Sequence, residues 1–157
     1  MTQELIKLGP GDLALGTRGD RLETLLGSCV SIILTDPRRT VGVMCHFVHS
    51  RPVPSDAPLR TAYADGAWRE MQRLLLLQGI TPRLCEAYVY GGGDMFPGEG
   101  MARRVGEDNI RWALGALDAA GVRILASDLG GNVYRKVSWE VGPQAPRLTA
   151  ETVQLMA

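Results

Sequence analysis

Cys29-Val30-Ser31-Ile32-Ile33-Leu34, a turn at Asp36-Pro37-Arg38-Arg39, and Thr40-Val41-Gly42-Val43-Met44-Cys45-His46-Phe47-Val48 form the stretch on which the fold turns. The first run is β-branched, the middle has turn chemistry, and the third run returns as a strand, so an antiparallel pair is expected. Residues alternate faces along a strand. Val41, Val43, Cys45 and Phe47 therefore share one face, and Gly42, Met44, His46 and Val48 share the other. Cys45 and His46 point apart, whereas Cys29 reaches His46 if its own strand pairs across the turn.

Working outward, Gln3 to Leu8 alternates polar and apolar residues as a half-buried strand does, Gly9-Pro10-Gly11-Asp12 reads as a turn, and Arg21 to Leu26 is another strand. Arg51 to Pro58 carries three prolines and reads as a loop. From Leu59 to Gln78 the period changes to 3.6, with Ala64, Ala67, Trp68, Met71, Leu74 and Leu75 on one stripe and Gly79 as the stop. Arg83 to Tyr90 is expected as a strand ending at Gly91-Gly92-Gly93-Asp94. Val105 to Ala120 is a second amphipathic helix, with Ile110, Ala113, Leu114 and Leu117 inward and Gly121 after it. Val122 to Ala126 and Val133 to Val141 read as strands around the turn Asp128-Leu129-Gly130-Gly131-Asn132. Leu148 to Leu155 adds a final edge strand. Two principal helices and seven to nine strands predict one α+β domain over residues 1–157, a layered sandwich of mainly antiparallel sheet.

The 157 residues carry 17 basic and 17 acidic side chains, which argues against nucleic-acid binding by bulk electrostatics. Hydrophobic residues at 45% and charged residues at 22% are ordinary globular usage, which excludes disordered, collagen-like and coiled-coil classes. No run has the length of a membrane helix, and no membrane insertion is expected. The N-terminus lacks a basic and an apolar leader region, which points to a cytoplasmic protein. Three cysteines without paired or zinc spacing (Cys29, Cys45, Cys85) predict reduced thiols, no metal and no cofactor.

Leu26-Gly27-Ser28-Cys29 combines a sharp backbone turn with a thiol. Its amides could hold an oxyanion while the sulfur attacks a carbonyl. A buried core cysteine accounts for the same residues. His46 is the candidate base, since a thiol needs one, although a hydrogen-bonded core histidine is the plain alternative. His49 reads as a solvated loop residue. Gly27, Ser28, Gly91 and Gly92 are the candidate substrate-binding positions, where backbone approaches a neighbour or a peptide. No GxGxxG, Walker or GxSxG pattern is present, so a phosphate cradle at Gly91 to Asp94 is the weaker reading.

Leu26-Gly27-Ser28-Cys29-Val30, with His46 seventeen residues on, resembles the CheD family of chemoreceptor glutamine deamidases. Tyr90-Gly91-Gly92-Gly93-Asp94-Met95-Phe96, Val105-Gly106-Glu107-Asp108-Asn109 and Asp128-Leu129-Gly130-Gly131-Asn132 with Arg135-Lys136-Val137 are similar to further family segments, in the family's order. The resemblance implies a cysteine hydrolase acting on protein glutamine side chains, with Cys29 as nucleophile, His46 as base and a threonine orienting the ring. Thr24 is assigned to that place; some family members carry the threonine one position earlier, where this chain has Glu23. Chemoreceptor cytoplasmic helices are the implied substrate and a CheC-type phosphatase an implied partner. The competing expectation is a CheD-like binding module that regulates such a phosphatase or receptors without catalysis. The enzyme reading predicts a Cys29 pKa below the free value of about 8.5.

Overall fold

The computed structural model describes residues 3–96 and 100–153. Nine strands run in chain order as β1 Leu5–Leu8, β2 Leu13–Thr17, β3 Arg21–Leu26, β4 Val30–Thr35, β5 Val41–Cys45, β6 Glu86–Gly91, β7 Arg123–Leu129, β8 Val133–Glu140 and β9 Arg147–Thr152. The two α-helices are α1 Ala64–Leu77 and α2 Gly100–Ala119. The strands form two mixed sheets, one ordered β1-β3-β8-β9 and the other β2-β5-β4-β6-β7. Most pairs are antiparallel; β1 with β3 and β6 with β7 are parallel.

The five-stranded sheet is the middle layer. One face carries Val30, Ile32, Leu34, Val41, Val43, Cys45 and Phe47 and packs on Ala64, Ala67, Met71 and Leu75 of α1 and Ala113 and Leu117 of α2. Its other face carries Ile33, Met44, Tyr88 and Tyr90, which meet Leu22, Leu26, Val137 and Trp139 of the four-stranded sheet. A strand buried on both faces reads as a continuous apolar run, and β4 and β5 are buried at every residue. The result is a helix–sheet–sheet sandwich, in line with the α+β expectation.

The differences have local causes. β2 was not expected as a strand; Leu13-Ala14-Leu15-Gly16-Thr17 has no β-branched run, yet it pairs with β5 from Leu13↔Cys45 to Thr17↔Val41. The strand expected over Arg83 to Tyr90 starts at Glu86, because Pro82–Leu84 form a 3-10 turn. The last strand spans Arg147–Thr152, and the final two residues of its expected range lie outside the described residues. In α2, Leu114 is 38% exposed instead of inward. The buried face is turned toward Gly106 and Asn109, where the helix meets the Gly92–Gly93 loop.

Candidate active site

The pairing of β4 with β5 places the chemistry-bearing residues. Ile33↔Met44 and the isolated Val30↔Phe47 bridge belong to one register, so Ser31 lies opposite His46, and Cys29 lies diagonal to His46. Val30 and Phe47 point to the helices, so Cys29, Ser31 and His46 face the four-stranded sheet. Cys29 accordingly packs against the cluster between the two sheets. Diagonal neighbours on one sheet face stand about 7 Å apart, within reach of a ring as long as imidazole. Cys45 projects to the opposite face, fully buried, and Cys85 is buried beside the Thr81 carbonyl.

His46 is 2% exposed. Its backbone is gripped by the Gly9–Asp12 turn: Gly11 N–H donates to the His46 carbonyl at 2.7 Å, and His46 N–H donates to the Asp12 carbonyl at 3.1 Å. Across the layer, Thr24 Oγ1 lies 2.7 Å from His46 Nδ1. The Thr24 hydroxyl donates its single proton to the Leu8 carbonyl at 2.9 Å. It therefore accepts from the ring, and Nδ1 carries the hydrogen. Nε2 is left with its lone pair, the state a proton acceptor needs. Glu23 points the other way and accepts from Ser138 Oγ at 2.9 Å. Of the two alternatives at this place, Thr24 is the residue that touches the imidazole.

The Gly27–Cys29 segment is held by three consecutive carbonyls. Gly93 N–H donates to Gly27 O at 3.0 Å, Asn109 Nδ2 to Ser28 O at 3.0 Å, and Gly92 N–H to Cys29 O at 2.9 Å. Asn109 also donates to Val48 O at 3.1 Å, so one buried amide ties helix α2 to both β4 and β5 approaches. Gly91 adopts φ 115°, and a Cβ there would sit 2.2 Å from the Cys29 carbonyl oxygen. The glycine loop thus approaches the Cys29 segment, and Gly92 packs under Ile110 of α2. Arg135, 2% exposed, supports the loop from β8 through Gly91 O, Gly130 O and Asp128 Oδ1. A cleft of about 220 Å³ lies beside this region, lined by Val48, His49, Ser50, Arg51, Val105, Asp108 and Asn109; Cys29 and His46 do not line it.

Asn109 and Arg135 were not expected as parts of the site. Both left a signal: Asn109 shares the inward stripe of Ala113 and Leu117, and Arg135 shares the buried face of Val137 and Trp139. A polar side chain on an apolar face needs partners, and here the partners are the site's backbone.

Burial pushes the Cys29 thiol up to about 11 and the His46 imidazole down to about 4, the latter opposed by the negative charge of Asp12. The expected lowered thiol pKa is not found at rest, because desolvation dominates and the residue orienting the ring is a neutral threonine. The resting pair is a thiol and a neutral imidazole. A stability consequence follows. An unfolded His46 titrates near 6.5 and the folded one near 4. The unfolded chain therefore takes up a proton that the native state refuses. His46 contributes full stability above pH 6.5, and about 3 kcal/mol is lost as pH falls to 4. Urea midpoints at pH 7 and 4.5 should show a smaller acid loss in His46→Gln than in the parent.

Among the described residues no group of three or more His, Cys, Asp or Glu could hold a metal ion. No helix among them is long and apolar enough to cross a membrane.

A family model described as CheD chemotactic sensory transduction matches residues 50–145. The chain is 36% identical over 139 residues to the "Probable chemoreceptor glutamine deamidase CheD" of Pseudomonas syringae pv. syringae, covering 87% of this chain and 78% of that protein. The chain belongs to the CheD family. A CheD protein of the same printed name from Pseudomonas fluorescens is 37% identical over 145 residues, 89% of this chain and 80% of that one. The CheD protein of Methanococcus vannielii is 34% identical over 133 residues, 85% of this chain and 86% of its own. The model's match begins after Thr24, Cys29 and His46, whereas the alignments to these CheD relatives span most of the chain.

Proposed function

We propose that this CheD protein is a cytoplasmic chemoreceptor glutamine deamidase in which Cys29 is the nucleophile, His46 the proton carrier and Thr24 the residue that orients the ring. The observation that carries the reading is the Thr24–His46 hydrogen bond, which fixes the tautomer with an open Nε2 on the face shared with Cys29. The names of the CheD relatives supply the substrate class, glutamine side chains of chemoreceptors.

Because both groups rest neutral, the proton moves as the sulfur attacks. His46 Nε2 takes the Sγ proton while Sγ bonds to the side-chain amide carbon. The oxyanion then needs donors. A trans peptide points its N–H opposite to its C=O, so pinning the Gly27 and Ser28 carbonyls aims the Ser28 and Cys29 N–H groups away from those contacts. Among the described residues neither N–H donates to a backbone carbonyl in the turns and loops, and in this scheme both turn to the developing charge. His46 returns its proton to the departing ammonia. It then deprotonates a water that cleaves the thioester, leaving glutamate and restoring the thiol. Gly91 and Gly92 act in this scheme by holding the segment that substrate meets.

Incubating a chemoreceptor cytoplasmic fragment with the protein should release ammonia and add about 1 Da per modified glutamine, the difference between an amide and an acid. An unchanged mass, together with receptor or CheC-type phosphatase binding, would establish the regulatory module instead. Thr24→Ala should slow turnover by roughly tenfold, since the threonine only orients the base, and Thr24→Ser should recover most of the rate. Glu23→Ala should leave it unchanged.

A further inference from the structure

Ser31 lies in the middle of the buried layer with zero exposure, and its hydroxyl is the one buried side-chain oxygen or nitrogen among the described residues without a hydrogen-bond partner. Its position is specific. It stands two residues after Cys29 on the same sheet face, opposite His46 on β5 by register and opposite Tyr90 on β6. Buried hydroxyls are normally bonded, and an alanine here would be the more stable choice for a core. The hydroxyl is thus unused in the neutral resting state, and it sits beside the pair of groups that becomes charged.

We infer that Ser31 is a positioning residue that donates its hydroxyl hydrogen to the Cys29 sulfur once the thiol proton has passed to His46. The balance is simple: the Sγ–H bond breaks, the Nε2–H bond forms, and the Ser31 O–H bond stays intact while its hydrogen turns to the thiolate. Residues two apart on a strand face are about 6.6 Å apart at Cα, a gap that an Oγ and an Sγ leaning toward each other narrow to the hydrogen-bond range of sulfur. The titratable groups facing this layer are Cys29, His46, Tyr88 and Tyr90 from the middle sheet and Arg135 from β8, with Asp12 acting on His46 from the turn. Arg135 is committed to Asp128, Gly91 and Gly130. Ser31 is the fully buried hydroxyl on this face that has no partner of its own and stands two residues from the sulfur. The inference rests on the reading of Cys29 and His46 given above.

The test is alkylation of Cys29 by iodoacetamide across pH, read by peptide mass spectrometry in the parent, Ser31→Ala and His46→Ala. Ser31→Ala should slow Cys29 alkylation near neutral pH by about tenfold, since hydrogen bonds to charged groups are the strong ones, and should move the midpoint of the profile upward. Cys45 and Cys85 should be unaffected, and Tm should hold or rise because an unpartnered hydroxyl is gone. A purely structural Ser31 would move Tm alone. Ser31→Thr and Ser31→Val, which differ by a hydroxyl against a methyl, provide a second comparison, with the faster rate expected in the threonine variant. Parent-like alkylation in Ser31→Ala at every pH, with slowing in His46→Ala, would overturn the Ser31 role and leave the Cys29–His46 pair standing. Parent-like alkylation in His46→Ala as well would remove the pair, and the Ser31 role with it.

Discussion

Cys29→Ala is expected to reduce ammonia release from a chemoreceptor fragment to background, a loss of roughly 10³-fold or more, because in the proposed mechanism nothing replaces the atom that would carry the acyl group. The fold should survive. Cys29 is partly exposed at the rim of the inter-sheet cluster, and its segment is fixed through the carbonyls of Gly27, Ser28 and Cys29, not through the sulfur. Thermal unfolding of the variant should therefore stay cooperative with a Tm near the parent's. Cys45→Ala and Cys85→Ala offer the contrast: both thiols lie in the helix-side core, and neither shares a face with His46. They should cost stability and leave per-molecule turnover near the parent's. Full turnover by Cys29→Ala would dismiss the assigned nucleophile.

His46→Ala should slow turnover by roughly 10²-fold or more at neutral pH. The size follows from the resting state. With the thiol pushed up to about 11, thiolate is scarce near pH 7, and in the proposed mechanism attack depends on a base that removes the proton as the bond forms. Raising pH toward 11 should partly rescue His46→Ala, since hydroxide then generates thiolate without the ring. The parent should instead hold a plateau from just above pH 4, where the imidazole becomes neutral, upward through neutral pH. Steady-state kcat/KM against pH for the two proteins separates these shapes. A parent-like rate in His46→Ala at pH 7 would remove the base.

The α1 helix was legible because Ala64, Ala67, Met71 and Leu75 repeat at helical spacing against one core face. The alternation in β5 likewise placed Cys45 and His46 on opposite faces, as the structure has them. What escaped was long-range. The four-stranded sheet joins residues from both ends of the chain, and nothing local in β1 announces a parallel partner in β3. Leu114 was misplaced because hydrophobicity alone centred the α2 stripe. Asn109, tied to Ser28 and Val48, rotates that centre toward polar and glycine positions. Thr24 against Glu23 could not be settled by spacing, since adjacent residues differ only in the face they take, and the β3–β8 register decides that.

The alternation of β5 has one more consequence. Sliding this strand by a single residue would exchange the two faces, presenting the sulfur of Cys45 where the imidazole belongs. Trp139 stands against the bare backbone of Gly42, where a Cβ would come within 2.1 Å of its ring, and it acts as a key that only one setting admits. Under the proposed mechanism a misaligned molecule would lack its base altogether, so one setting of the strand would decide assembly and turnover together.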